Sequence, residues 1–143
     1  MRRPSLLLSV VLGLATLAGC SGGGPYCDAV DAGREPLATF GEQSDAAFST
    51  YADVTTKISR VAPADVKKEW KSIAVSTKKV VIAHRTSGLA LEDMKDEVKV
   101  NALSKQDVDR ITAAHEAFND TKAEREDVVE HVHDECGIDL SKK

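Results

Sequence analysis

The chain has 143 residues, 42% of them hydrophobic and only 4% aromatic, with 19 Lys+Arg against 23 Asp+Glu and a formal net charge of −4. That length holds one domain, and a mildly acidic balance gives no overall electrostatic reason to bind nucleic acid or anionic headgroups. Three cysteines are few enough to be accounted for one by one.

The chain opens on Met1-Arg2-Arg3, continues through an apolar run from Leu6 to Leu17 and closes on small residues, the layout of a secretory signal. The run is shorter than the roughly 20 residues a membrane span needs, so cleavage is expected. Arg2-Arg3 is followed by Pro4-Ser5-Leu6, a poor fit to a twin-arginine signal, which leaves Sec export as the default. Leu17-Ala18-Gly19-Cys20 resembles the lipobox of bacterial lipoproteins. That resemblance implies a diacylglyceryl thioether on Cys20, cleavage just before it, and a chain held by lipid on the extracytoplasmic face of the cell membrane. The alternative is an ordinary signal with a cysteine at its cleavage point. The division expected is a leader over 1–19, a lipid-anchored Gly-rich tether over 20–25 and a domain over 26–143. Losing Arg2 and Arg3 with the leader takes the net charge from −4 to −6, so the lipid has to do the membrane work, and two or more acyl chains hold stably where one does not.

Beyond the tether, Tyr26, Cys27, Val30, Leu37 and Phe40 belong to a short irregular or helical piece, and glycines and prolines then leave three long stretches unbroken. In the first stretch Ser44 is a plausible N-cap, and Ala47, Tyr51, Val54, Ile58 and Val61, with Phe48 and Thr55 beside them, mark one apolar face of a helix. Pro63 is placed as the first residue of a second helix with Asp65 in its first turn. Its stripe is Val66, Trp70, Ile73, Thr77, Val80 and His84, and Gly88 ends it. Val80-Val81-Ile82 could be a strand in isolation but falls inside this helical period.

Ser104 followed by Asp107 is a capping-box-like start for a third helix, whose stripe runs through Val108, Ile111, His115, Phe118, Lys122, Arg125, Val129, Val132 and Cys136 to Gly137. Unbroken, it is about 45 Å long. Lys122 and Arg125 in mid-stripe mean either a break at Asn119-Asp120 or aliphatic stems covering apolar neighbours, and the second is preferred. Leu89, Leu91, Met94, Val98 and Leu103 predict a shorter helical connector whose apolar residues close one end of the bundle. No stretch alternates with period two, so the fold expected is all-α: a small antiparallel bundle of three long helices with short N-terminal and connector pieces.

With Cys20 given to lipid, Cys27 and Cys136 remain as an even pair in an exported domain, and an intramolecular disulfide between them is expected. An intermolecular bridge or two free thiols are the alternatives. The segments around the two cysteines, Tyr26-Cys27-Asp28-Ala29-Val30 and Glu135-Cys136-Gly137-Ile138-Asp139-Leu140, resemble those of small uncharacterised actinobacterial helical lipoproteins, a resemblance that implies no activity.

Catalytic and cofactor constellations fail one after another. His131 and His133 point about 200° apart on a helix and cannot share an ion. Glu130-x-x-His133 has the spacing of a di-iron helix but no second copy. His115-Glu116 starts like a zincin motif, but Asn119 stands where the second histidine belongs. There is no nucleophile elbow and no Gly-rich phosphate loop. No metal, cofactor or catalytic residue is therefore assigned, and the function expected is a non-enzymatic, membrane-tethered module that binds a protein or envelope component. A second possibility is a small-ligand or metal carrier using the bundle interior, with Met94, His84 and His115 as the first suspects.

Overall fold

The structure is a computed structural model that describes residues 24–38 and 44–141. The segments read as leader and tether up to Gly23, Cys20 among them, and Phe40 lie outside the described residues. The remainder is helical: α1 (Pro25–Ala32), α2 (Arg34–Ala38), α3 (Asp45–Val61), α4 (Lys67–Ser87), a 3₁₀ turn (Leu91–Lys95), α5 (Glu97–Asn101), α6 (Lys105–Asn119) and α7 (Lys122–Cys136). No strand occurs among the described residues, and the all-α fold follows from the single apolar stripe each long helix carries.

Local chemistry explains most of the boundaries. The Ser44 side chain accepts from Ala47 N and opens α3 as expected. Gly88 ends α4 in the left-handed conformation at φ 72°, with its N–H donated to His84 O. α4 begins later than expected. Ala64 to Val66 form a turn closed by Val66 N donating to Pro63 O at 3.3 Å, so Pro63 precedes the helix and Asp65 stands outside its first turn. All six residues of the expected α4 stripe are buried nonetheless, from Val66 to His84. The hydroxyl of Thr77 is satisfied inside the stripe by Ile73 O at 2.7 Å. On α3 the stripe holds as far as Ile58, while Val61 in the last turn is 42% exposed.

α4 is the hub of the bundle, packed most extensively on α3, then on α6, and less on α7. Its fully buried Trp70, Ile73 and Val80 meet Ile58 of α3, Val132 of α7 and Val30 of α1 in one cluster. Gly33, between α1 and α2, sits where any Cβ would overlap the Val54 side chain, so the N-terminal pair of short helices lies directly against α3.

The third long helix is broken, against expectation. α6 stops at Asn119 and α7 starts at Lys122. The carbonyl of Phe118, which an unbroken helix would give to the N–H of residue 122, instead accepts from Thr121 N, from Thr121 Oγ1 at 2.7 Å and from Arg125 Nη1 at 2.7 Å. The buried positions Ile111, Ala114, Phe118, Thr121, Val128 and Val132 still run through the break at steps of three and four, with half-buried Arg125 between Thr121 and Val128. Val129 is 36% exposed and the Lys122 side chain 77%, and their neighbours Val128 and Thr121 are buried instead, while Val132 is buried where the expected stripe has it. The connector is also only half core: Leu89 and Leu91 are buried, whereas Met94 and Val98 face solvent at 38% and 80% exposure.

Cys27 and Cys136 are joined with their Cα atoms 5.4 Å apart, tying α1 to the last residue of α7. Gly137 then turns the chain at φ 66° into the tail.

Candidate functional site

Because α4 keeps α3 and α7 apart near its N-terminal half, an open groove of about 740 Å³ runs between them. Its floor is apolar and aromatic: Leu37 from α2, Tyr51 from α3, Trp70 from α4 and Val128 from α7. The tail returns along it and contributes Leu140. The rim is polar and of both signs, with Lys122, Arg125 and His133 against Glu126, Glu130 and Asp139. This is the size and composition of a small-ligand or side-chain receptor, an apolar bed with a few placed polar groups.

One of those polar groups is fixed. Arg125 donates to Phe118 O at 2.7 Å and to Thr121 Oγ1 at 2.6 Å, and its guanidinium carbon lies 4.6 Å from the centroid of the Phe118 ring. The break between α6 and α7 therefore positions a cation in the groove wall. Burial pushes the Tyr51 hydroxyl up to about 12, opposed by the nearby Arg125 charge. Tyr51 is thus a neutral hydroxyl throughout the physiological range, able to donate or accept a hydrogen bond but unsuited to act as a base.

Beneath the groove, Trp70 Nε1 donates to Tyr26 Oη at 3.0 Å, Tyr26 Oη faces His131 Nδ1 at 3.3 Å, and His131 Nε2 faces Asp65 Oδ2 at 3.4 Å. Hydroxyl, imidazole and carboxylate stand in the order of a catalytic triad. The resemblance ends at the hydroxyl. Burial raises the Tyr26 pKa, and the Trp70 hydrogen bond, which favours the ionised form, does not overcome it. A triad nucleophile needs its proton loosened, and here it is held more tightly. The chain of contacts satisfies the buried indole N–H and phenol while locking α1, α4, α7 and the turn before α4 together.

The histidines suspected of lining a cavity are brought together elsewhere. His84 Nδ1 lies 2.8 Å from Leu89 O, a carbonyl that can only accept, so Nδ1 carries the proton and Nε2 is left as an acceptor. His115 Nε2 lies 2.9 Å from His84 Nε2 and donates to it. The pair bridges α4 and α6 about 21 Å along α4 from Trp70, and neither ring lines the groove. Burial first, and then the neighbouring His84, lowers the His115 pKa. Met94 is on the 3₁₀ turn with its side chain exposed.

His131 and His133 diverge as the helical geometry requires, the first half-buried against Tyr26, the second exposed on the groove rim. No group of three or more His, Cys, Asp or Glu among the described residues could hold a metal ion. No helix among them is long and apolar enough to cross a membrane. Sequence reasoning missed the groove because its walls come from five segments, α2, α3, α4, α7 and the tail, and its fixed guanidinium from a helix break. The signal that could have found it was Arg125 itself, a guanidinium on a largely apolar stripe. The chain matches no family model, and neither the curated proteins nor the solved structures include one detectably similar to it.

Proposed function

We propose that the protein is a non-enzymatic binding module, lipid-anchored through Cys20 at the extracytoplasmic face of a membrane, and that the groove between α3 and α7 receives an amphipathic segment of a protein or envelope partner. The observation that carries the binding half is the groove itself, with its Tyr51–Trp70–Val128 floor and fixed Arg125. It is open along its length, which suits a side chain or short segment presented from outside more than a small molecule engulfed by the bundle. The anchoring half is supported by the Leu17-Ala18-Gly19-Cys20 sequence and the signal-like run before it.

The two halves are tested separately. Cys20→Ala should abolish labelling by a palmitate analogue, and equal labelling would end the lipid reading. For the groove, Val129→Trp places a large ring on an exposed rim position without disturbing the core. A photo-crosslinker at Glu130 should yield one product of defined mass in intact cells, absent with Val129→Trp and absent when the probe sits at Gln106 on α6. Equal products from both probe positions would sink the proposal. A stoichiometric small molecule in the native mass spectrum, displaced by Val129→Trp, would favour the carrier reading of the same groove, whose volume falls within the ligand-pocket range.

A further inference from the structure

The outward face of α4 is strongly basic. Its exposed residues are Lys67, Lys68, Lys71, Val75, Lys78, Lys79, Ile82, Arg85 and Thr86, with no carboxylate among them. At 100° per residue Lys67, Lys71, Lys78 and Arg85 fall in a single row, and Val75 and Ile82 lie beside it. These two apolar side chains are 46% and 58% exposed, on the same side of the helix as the cations. None of the six basic residues forms an ion pair among the described residues, and Lys67 donates to Arg60 O at 3.3 Å. The stripe runs the length of α4, about 31 Å.

The exposed face of α7 has the opposite character. α7 turns its buried Val128 and Val132 inward and exposes Glu126, Asp127, Glu130, Asp134 and Glu135 against the single lysine Lys122, which pairs with Glu126 at 3.5 Å. Since α4 and α7 pack through their buried faces, their exposed faces point apart, and the chain is electrically two-sided. A net acidic charge averages this away. Locally, a row of unpaired cations with aliphatic side chains beside it is what an anionic bilayer surface attracts: phosphates take the ammonium and guanidinium groups, and the headgroup boundary takes the aliphatic ones.

We infer that the exposed face of α4 docks on anionic phospholipid headgroups, laying the bundle on the membrane with α7 turned away from it. This rests on the extracytoplasmic, lipid-anchored reading for the encounter, but not for the chemistry of the face. Electrostatic attraction near such a surface is worth about fivefold in partitioning per basic residue. Replacing Lys71, Lys78 and Arg85 by glutamine should therefore cost on the order of a hundredfold. All three are exposed, so folding should be untouched.

The test uses the exported, processed chain with phosphatidylcholine vesicles and with vesicles containing about a third phosphatidylglycerol, at low and at high salt. Lysine acylation is mapped by mass spectrometry. Lys68, Lys71, Lys78 and Lys79 should be protected several-fold on the anionic vesicles at low salt only, while the exposed Lys105 and Lys122 label equally throughout. The K71Q/K78Q/R85Q variant, shown by its melting curve to be folded, should lose the anionic increment in partitioning and the protection of Lys68 and Lys79. Partitioning into neutral vesicles reports the lipid anchor, and the anionic increment reports the α4 face. A chain that ignores neutral vesicles but protects α4 on anionic ones keeps this proposal and removes the anchor. A chain anchored to both kinds with identical labelling overturns this proposal and keeps the anchor. Protection of the same lysines by heparin, with none on anionic vesicles, would reassign the face to a soluble polyanion and equally overturn it.

Discussion

Removing the covalent tie between Cys27 and Cys136 should cost this small bundle a large part of its stability. The bridge closes a loop of 109 positions, for which the chain-entropy model gives an upper value of about 4.7 kcal/mol, with 2–4 kcal/mol typical in practice. What else holds α1 in place limits the loss. Val30 is fully buried, and Tyr26 is tied to Trp70 and His131, so α1 should remain docked when the bridge is opened. A domain of this size melts about 3–4 °C lower per kcal/mol, so the Cys27→Ser/Cys136→Ser variant should melt roughly 10 °C below the oxidised protein. The oxidised protein should itself lose that margin on adding reductant, and a thiol count before and after should go from none to two. A folded, exported protein with two reactive thiols, or a reduced form melting within about 1 °C of the oxidised one, would refute the reasoning.

Other consequences can be checked with the same melting assay. Gly33→Ala forces a methyl group onto the Val54 side chain and should destabilise by about 1–3 kcal/mol, although the Gly33 backbone conformation is open to any residue. Leu91→Asp, at a position 3% exposed, should unfold or severely destabilise the domain, whereas Val98→Asp at 80% exposure should leave its melting temperature unchanged. The His84–His115 pair predicts a pH dependence. Because the folded His115 pKa lies below its unfolded value of about 6.5, the unfolded chain binds more protons in acid, and stability should be full above that value and fall as pH drops from it through the folded pKa. His115→Gln keeps a donor for His84 Nε2 but cannot titrate, so its melting temperature should decline less between pH 7.5 and 5 than that of the native chain; parallel declines would remove His115 as the cause.

How much of this was legible from residues alone depended on whether the determinant was local. Ser44, Ser104 and Gly88 act on groups within four positions, and each cap falls where the sequence places it. The α4 stripe was legible because α4 is packed on several sides and every inward position carries a side chain that shows it. On α7 the expected stripe is right at Val132 and one residue off at Val129. Val128 and Val129 are adjacent and equally apolar, and only packing against α4 selects Val128 for burial. Pro63 was misplaced because its preference for the first helical turn is met equally well by a turn just before the helix. The connector was overestimated because Met94 and Val98 are as apolar as Leu89 and Leu91, and no sequence period decides which of four apolar residues in irregular chain finds a neighbour. The groove and the two-sided charge of the bundle are properties of helices laid side by side, and a net charge of −4 contains neither.

The break at Thr121 is where local and tertiary determinants meet, and it can be tested at Arg125. Arg125 occupies an inward position of a stripe otherwise made of Ile111, Ala114, Phe118, Thr121, Val128 and Val132, and a guanidinium in a continuous helix there would find every backbone carbonyl nearby already taken. Interrupting the helix frees Phe118 O, and Arg125 takes it together with Thr121 Oγ1 and the face of the Phe118 ring. Asn119, Asp120 and Thr121 are weak helix formers, so the interruption costs little. If this is the cause, Arg125→Ala removes a charge-assisted donor from a carbonyl that keeps its bonds to Thr121, and the loss should be on the order of 1–2 kcal/mol. Amide exchange should quicken at residues 119–123 more than elsewhere, because those residues lose the clamp. Restoring a donor with Arg125→Lys should recover part of the stability but not the planar contact with the ring. If Arg125→Ala melts with the native protein and exchanges identically over 119–123, the break belongs to the Asn119-Asp120-Thr121 backbone alone, and Arg125 merely occupies a gap that would exist without it.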